Sequence, residues 1–297
     1  MKELVVLSGK GGTGKTSLVG CFSALVENKV LVDCDVDAAD LHILLEPSVQ
    51  ETHLFRSGSK PVIDPQICMG CDLCTEICRF SAIHEFTVDL LSCEGCGFCS
   101  EVCPAGAITM EERTCGEWYV SATRFGPLVH ARLSIGEENS GKLVAMVRQA
   151  ARDLATREDH GIVISDGPPG TGCPVISSVS GADLALLVTE PTLAGFHDLE
   201  RVIGVCRHFG VPVAVCLNKY DINEENSRHI EDYCAAEGIP VAGCLPFDVA
   251  FTDAMSSGQS LIEYERNGTV HAVEDLWSNV SRLLMREVKT SRQGVDR

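Results

Sequence analysis

The sequence predicts an α/β protein, a doubly wound and mostly parallel sheet interrupted by a small inserted α+β domain. Three observations predict it. A short apolar run at residues 4–7 passes through a glycine-rich turn into a helix. Similar apolar runs then alternate with helix-length stretches along the chain. Between residues 58 and 113 the alternation gives way to a cysteine-dense segment that repeats itself, leaving 1–57 and 114–297 as one discontinuous domain.

The first run, Leu4 through Leu7, reads as a buried strand. In the turn that follows, Gly9, Gly11, Gly12 and Gly14 lack side chains, so the backbone can take positive φ and aim its amides at an anion. A triphosphate fits such a loop. Lys15 would reach its β and γ phosphates and the Thr16 hydroxyl would serve Mg²⁺. The helix read at residues 17–26, starting at Ser17, would direct its N-terminal amides at the same charge. With Lys10 and Thr13 filling the variable positions, the spacing satisfies G-x-x-x-x-G-K-[ST] in full.

Residues 30–32 form a second short strand that ends in Asp33, Cys34 and Asp35. Carboxylates at the C-terminal end of such a strand face the ligand crevice of an open α/β sheet. Asp37 and Asp40 follow, readable as site acids or as solvated turn residues, and Cys34 as a small core residue. From Arg56, the stretch RSGSKP reads as a linker into the inserted domain.

Cys68, Cys71, Cys74 and Cys78 recur 25 residues later as Cys93, Cys96, Cys99 and Cys103, both in C-x₂-C-x₂-C-x₃-C spacing. Gly70 pairs with Gly95, Glu76 with Glu101, Ala82 with Ala107 and Ile83 with Ile108, so the duplication extends beyond the cysteines. Such spacing points to metal ligation, with an iron-sulfur cluster favoured and structural zinc the competing reading.

The insertion closes near Met110 on this reading, and residues 118–121 and 128–133 follow as strands. Ser140 is placed as the N-cap of a helix at 142–156, with Glu137, Glu138 and Asn139 ahead of it, available to the inserted domain or to a partner subunit. A buried strand at 162–165 delivers Asp166 into GPPGTG. Asp166 would hold the Mg²⁺ shell, while Gly167 and Gly170 let the loop move when a γ-phosphate leaves. Strands at 184–188, 213–217 and 241–245 then alternate with helices at 197–208 and 226–237. Asn218, Lys219 and the turn at 246–248 follow strands, where ligand contacts gather. A last helix at 270–288 carries an apolar stripe through Val273, Leu276, Trp277, Val280, Leu283 and Leu284, read as a docking face, and a disordered polar tail is expected after Lys289.

The net charge of −18 over 297 residues argues against a surface that tracks nucleic-acid phosphates and weakens attraction to anionic lipid. No secretory signal and no 18-residue apolar run is evident, so a cytoplasmic location is expected, with membrane association disfavoured. Sixteen cysteines in a reducing compartment then point to metal ligation rather than disulfides.

Lys10 inside GKGGTGKT makes the loop similar to that of the deviant P-loop ATPases: MinD, ParA, the Mrp and Nbp35 carriers and the nitrogenase iron protein. The resemblance implies ATP as nucleotide, with Lys10 crossing to a partner's nucleotide in a homodimer or a heterodimer with a related chain. It implies that Asp35 orients the attacking water, that Asp33 stays near the metal, and that Asn218 and Lys219 lie at the adenine. DGPPGTG resembles the Mrp and Nbp35 branch, and Cys173 stands at the offset where the nitrogenase iron protein has a bridging-cluster ligand, although no second such cysteine is evident.

The cysteine repeat resembles the bacterial two-cluster ferredoxin. That resemblance implies two [4Fe-4S] clusters, one held by Cys68, Cys71, Cys74 and Cys103, the other by Cys93, Cys96, Cys99 and Cys78. Pro104 follows Cys103 as in that family, whereas Arg79 follows Cys78 where proline is usual. The whole chain resembles MinD-superfamily ATPases with an inserted ferredoxin domain. This implies nucleotide-gated electron transfer to a redox partner, with cluster assembly or carriage and MinD-like positioning as alternatives.

Overall fold

Leu4 and Val6 point to one side of the first strand, Val5 and Leu7 to the other, and all four are buried in two separate apolar cores. A strand with both faces covered is the mark of a parallel sheet sandwiched by helices. The computed structural model describes residues 1–37, 39–134, 140–264 and 268–286. Among these, the chain runs β1 (Lys2–Ser8), α1 (Lys15–Leu25), β2 (Lys29–Asp33), α2 (Leu41–Leu45) and β3 (Ser48–Ile63). The cysteine segment carries α3 (Leu73–Ile77), β4 (Ile83–His84), β5 (Thr87–Val88) and α4 (Phe98–Val102), and β6 (Ile108–Thr123) and β7 (Gly126–Leu133) follow. Next come α5 (Ser140–Arg157), β8 (Ile162–Pro169), α6 (Cys173–Val179), β9 (Leu184–Thr189), α7 (Leu193–His208), β10 (Val213–Asn218) and α8 (Glu224–Ala236). The chain ends with β11 (Val241–Leu245), α9 (Ala250–Ser256), α10 (Leu261–Tyr264) and α11 (Gly268–Leu284).

The large sheet has the order β11-β10-β9-β1-β8-β2-β7-β6-β3. β1 pairs in parallel with both β8 and β9, β10 with β9 and β11, and β2 with β8 and β7. The carboxyl ends of these strands therefore share one edge, where open α/β sheets bind ligands. One face is covered by α1, α2 and α11 around Leu18, Phe22 and Leu44, the other by α6, α7 and α8 around Val175, Leu199 and Ile230. Val273, Leu276, Val280 and Leu284 of α11 are buried in the first core, with Trp277 and Leu283 packed against it. The stripe is thus a docking face. No described helix is long and apolar enough to cross a membrane.

The chain divides into two units, the first containing residues 1–51, 119–131 and 140–297, the second residues 52–118 and 132–139. In the second, the repeat is visible in the backbone. α3 and α4 are equivalent five-residue helices preceded by left-handed residues, Asp72 (φ 60°) and Gly97 (φ 75°). Ala82 and Ala107 are both buried, and each donates its amide to a cysteine sulfur, Cys78 at 3.4 Å and Cys103 at 3.3 Å.

The RSGSKP stretch is not a linker. It lies inside the sixteen-residue β3, which stands at the end of the sheet order, where a strand can carry Pro61 without losing an inner hydrogen bond. Likewise no boundary falls at Met110, because β6 runs unbroken from Ile108 to Thr123. Ser140 is already the first residue of α5, not its cap. The readings of Glu137, Glu138 and Asn139, of the helix end at 287–288 and of the tail lie outside the described residues.

Candidate functional site

The glycine turn opens from the end of β1. Gly12 (φ 79°) and Gly14 (φ 91°) take left-handed backbone that other residues adopt only at a cost, and Lys15 opens α1 directly after. Gly9 has a different reason to be glycine: a Cβ there would lie 2.2 Å from Asp198 Cβ and 2.9 Å from the Asp198 carbonyl carbon, on α7. The Ser8 hydroxyl donates to the Lys10 carbonyl at 2.6 Å. Gly170, past the end of β8, donates its amide to the Ser8 carbonyl at 3.0 Å, so the two loops are joined at their roots.

A cavity of about 340 Å³ opens on the turn. Gly12, Gly14, Lys15 and Thr16 line it, together with Asn218, Lys219 and Phe247. Asn218 Nδ2 donates to the Thr13 carbonyl at 2.8 Å, and its Oδ1 accepts from the Lys219 amide at 3.0 Å. Ser17 also lines this cavity, as does Asp40. Gly11 is exposed, with open space where a Cβ would sit.

Asp33 ends β2 and pairs with Asp166 of the neighbouring β8, and both are buried. Burial pushes the Asp166 carboxyl up to about 6, against the opposing charge of Lys15 and a hydrogen bond from Thr16. Burial and then the Asp166 charge hold Asp33 well above its ordinary value, although its oxygens accept from the amides of Asp35 (3.1 Å) and Leu41 (3.3 Å). Asp166 Oδ1 is buried with no hydrogen-bond partner among the described residues. A buried acceptor without a partner is costly, and a cation beside the Thr16 hydroxyl would satisfy it. The donor set thus fits Mg²⁺.

Lys10 turns to its own chain, with Nζ 3.1 Å from Glu190 Oε2, and Lys219 also pairs with Glu190. Burial raises the Glu190 carboxyl, but the hydrogen bonds from Lys219 and Lys10 outweigh it and hold it below the usual range. Glu190 is the residue that sequence reasoning missed. It follows the last residue of β9, and the strand-end rule that singled out Asp33 would have found it. Cys173 is exposed at the first position of α6.

In the second unit, Cys68, Cys71, Cys74 and Cys103 line one cavity, while Cys78, Cys93, Cys96 and Cys99 line another. Each set takes three cysteines from one run and one from the other. The Gly95 amide donates to Cys93 Sγ at 3.4 Å, alongside the two alanine amides already described. Four cysteines lining one cavity, with amides donated to Cys78, Cys93 and Cys103, are a donor set that fits a cubane cluster. Among the described residues no three His, Cys, Asp or Glu side chains stand close enough to share a single metal ion.

A phosphate-sized turn, a lysine at its helix entrance and buried acids on the same sheet edge together define a P-loop nucleotide-binding α/β protein. The chain belongs to the CobQ/CobB/MinD/ParA nucleotide binding domain family, whose profile matches residues 4–262. It is 34% identical over 228 residues to the uncharacterized protein MJ0578 of Methanocaldococcus jannaschii, covering 75% of this chain and 80% of that one. It is 27% identical over 139 residues to a cytosolic Fe-S cluster assembly factor Nubp1 homolog of Drosophila yakuba, covering 40% of this chain and 44% of that protein. Among solved structures it shares the fold of the septum site-determining protein MinD from Pyrococcus horikoshii in complex with Mg-ADP. There the TM-score is 0.60 at 17% identity, over 95% of this chain and 96% of that one.

Proposed function

We propose that this chain is an ATPase whose dimer closes on Mg-ATP and thereby gates electron transfer through two [4Fe-4S] clusters to a partner redox protein. The observation that carries the reading is the sorting of eight cysteines into two crossed sets of four, in a chain that also has a P-loop. The clusters, held by those two sets, would supply one-electron redox chemistry.

On this reading, Lys15 and Lys10 neutralise charge on the transferring phosphoryl group. Thr16 and Asp166 would hold the Mg²⁺, and Asp35 would orient the attacking water. Lys10 reaches the neighbouring subunit's nucleotide only after leaving Glu190. Chain order links the two functions, since β3 leaves the segment after Asp33 and leads straight to Cys68. Nucleotide can drive such coupling only by binding the open and closed dimers with different affinity.

The test is an anaerobic EPR titration of the reconstituted chain with and without Mg-ATP, alongside Lys15→Ala. Nucleotide-dependent shifts that Lys15→Ala abolishes support the reading; two cubanes that ignore nucleotide in a verified dimer overturn the coupling.

The likeness to Nubp1 homologues favours a second reading, a cluster assembly or carrier factor. Transfer of iron and sulfide to an apo-protein, with loss of cluster from this chain, would select it over electron transfer.

A further inference from the structure

The two cysteine sets are equivalent in backbone but not in charge. Asp72 lines the cavity of Cys68, Cys71, Cys74 and Cys103, while the matching position in the second repeat is Gly97. Arg79 lines the cavity of Cys78, Cys93, Cys96 and Cys99, and its counterpart in the other repeat is the uncharged Pro104. A second cation reaches the Arg79 side: Lys60 donates to the carbonyl of Cys93 and, at 3.2 Å, to that of Leu90. Glu94 opposes them from between Cys93 and Cys96, but it is exposed and does not line the cavity. The acids Glu76 and Glu101 match each other across the repeat and cancel.

Amide donors add to the imbalance. On the Arg79 side Cys78 accepts an amide hydrogen from Ala82 and Cys93 one from Gly95. On the Asp72 side Cys103 accepts from Ala107, and the equivalent Cys74 and Cys99 each accept from the amide that follows them, so the Gly95 donor is the difference. Reduction of a cluster adds negative charge, which a nearby cation and amide dipoles favour and a carboxylate opposes.

We infer that Arg79 and Asp72 set the two sites at different potentials, so that the cluster held by Cys78, Cys93, Cys96 and Cys99 is reduced first. This rests on the cluster reading above and deepens it by giving the pair a direction. An electron supplied by a low-potential one-electron donor comes to rest on the Arg79 side.

The experiment is an EPR-monitored redox titration of the full chain, reconstituted anaerobically with iron and sulfide, as wild type, Arg79→Gln, Arg79→Lys and Asp72→Asn. Asparagine is chosen because it tolerates the left-handed backbone at position 72. Wild type should show two separate midpoints. Arg79→Gln should lower the higher one alone and Asp72→Asn raise the lower one alone, each shifting the electron partition on the order of tenfold, ~59 mV for one electron. Arg79→Lys should keep the wild-type order. Two clusters with coincident midpoints, or midpoints that neither variant moves, would overturn the inference while leaving the cluster reading intact. Iron and sulfide sufficient for fewer than two clusters would overturn both.

Discussion

Asp33 and Asp166 stand in register at the last paired position of the adjacent parallel strands β2 and β8, both almost wholly buried. The Asp166 charge raises the proton affinity of Asp33 beyond what burial alone does, while Asp166 itself is raised by burial and then by the charges of Asp35 and Asp40. Between the ordinary aspartate value of 3.8 and about 6, the folded chain keeps a proton at Asp166 that the unfolded chain has released. Stability from this site is therefore lost as pH rises through that window and stays low above it.

The prediction is that the melting temperature of the metal-free wild type, relative to Asp166→Asn, falls from pH 4 to pH 6 and then levels. Mg-nucleotide should restore the wild type at pH 7 and do little for the variant. Thermal melts across pH, with and without Mg-nucleotide, check both parts; a pH-independent difference would contradict the first.

Gly9 and Gly11 should respond differently to alanine. At Gly9 the new methyl group collides with Asp198 backbone and side chain, whereas at Gly11 it meets open space. Gly9→Ala should cost about 1–3 kcal/mol and abolish nucleotide-induced thermal stabilisation. Gly11→Ala should melt like wild type without ligand. Lys15→Ala should fold normally yet lose the ligand-induced shift.

Glu190 competes for Lys10. If Lys10 acts across a dimer, Glu190→Gln releases it and should favour the Mg-ATP dimer by roughly the 0.2–1 kcal/mol of a partly exposed ion pair. That is a few-fold drop in the concentration needed for dimerisation, readable by sedimentation. An unchanged or weaker dimer would mean that Glu190 serves Lys10 in the closed state too.

Glu3 is buried between Arg148, at 2.6 Å, and Arg152, and Arg148 also donates to the carbonyls of Ser177 and, at 3.0 Å, Ser180 at the end of α6. Removing the acid strands a buried guanidinium. Glu3→Gln should cost about 3–5 kcal/mol in denaturant melts without changing iron content per folded chain.

In the cysteine-rich unit, Gly95 has φ 65° and a Cβ there would stand 2.5 Å from the Ser59 carbonyl oxygen. Gly106 shares the left-handed backbone but has open space around it. Gly95→Ala should lower iron loading more than Gly106→Ala does, by iron and sulfide analysis of the reconstituted proteins.

Much of the strand-and-helix alternation was legible because β1, β2, β8, β9 and β10 each contain an uninterrupted apolar run and α11 carries a clear stripe. β3 was not legible. Its alternation is broken by Gly58 and Pro61, both linker-like residues, and its strand character comes from its place in the sheet order rather than from local propensity. The short α9 and α10 have too few turns to show a period. Loop residues such as Lys15 and Gly14 could be read because glycine and lysine spacing carries the chemistry. Glu190 was hidden because a single acid after a strand has no spacing partner in sequence; its partners are 180 residues upstream at Lys10 and 29 downstream at Lys219.

The hydrogen bond from Asn218 to the Thr13 carbonyl ties the end of β10 to the turn after β1. These strands are two places apart in the sheet order, with β9 between them, so a movement of the turn is passed directly to a strand it does not pair with.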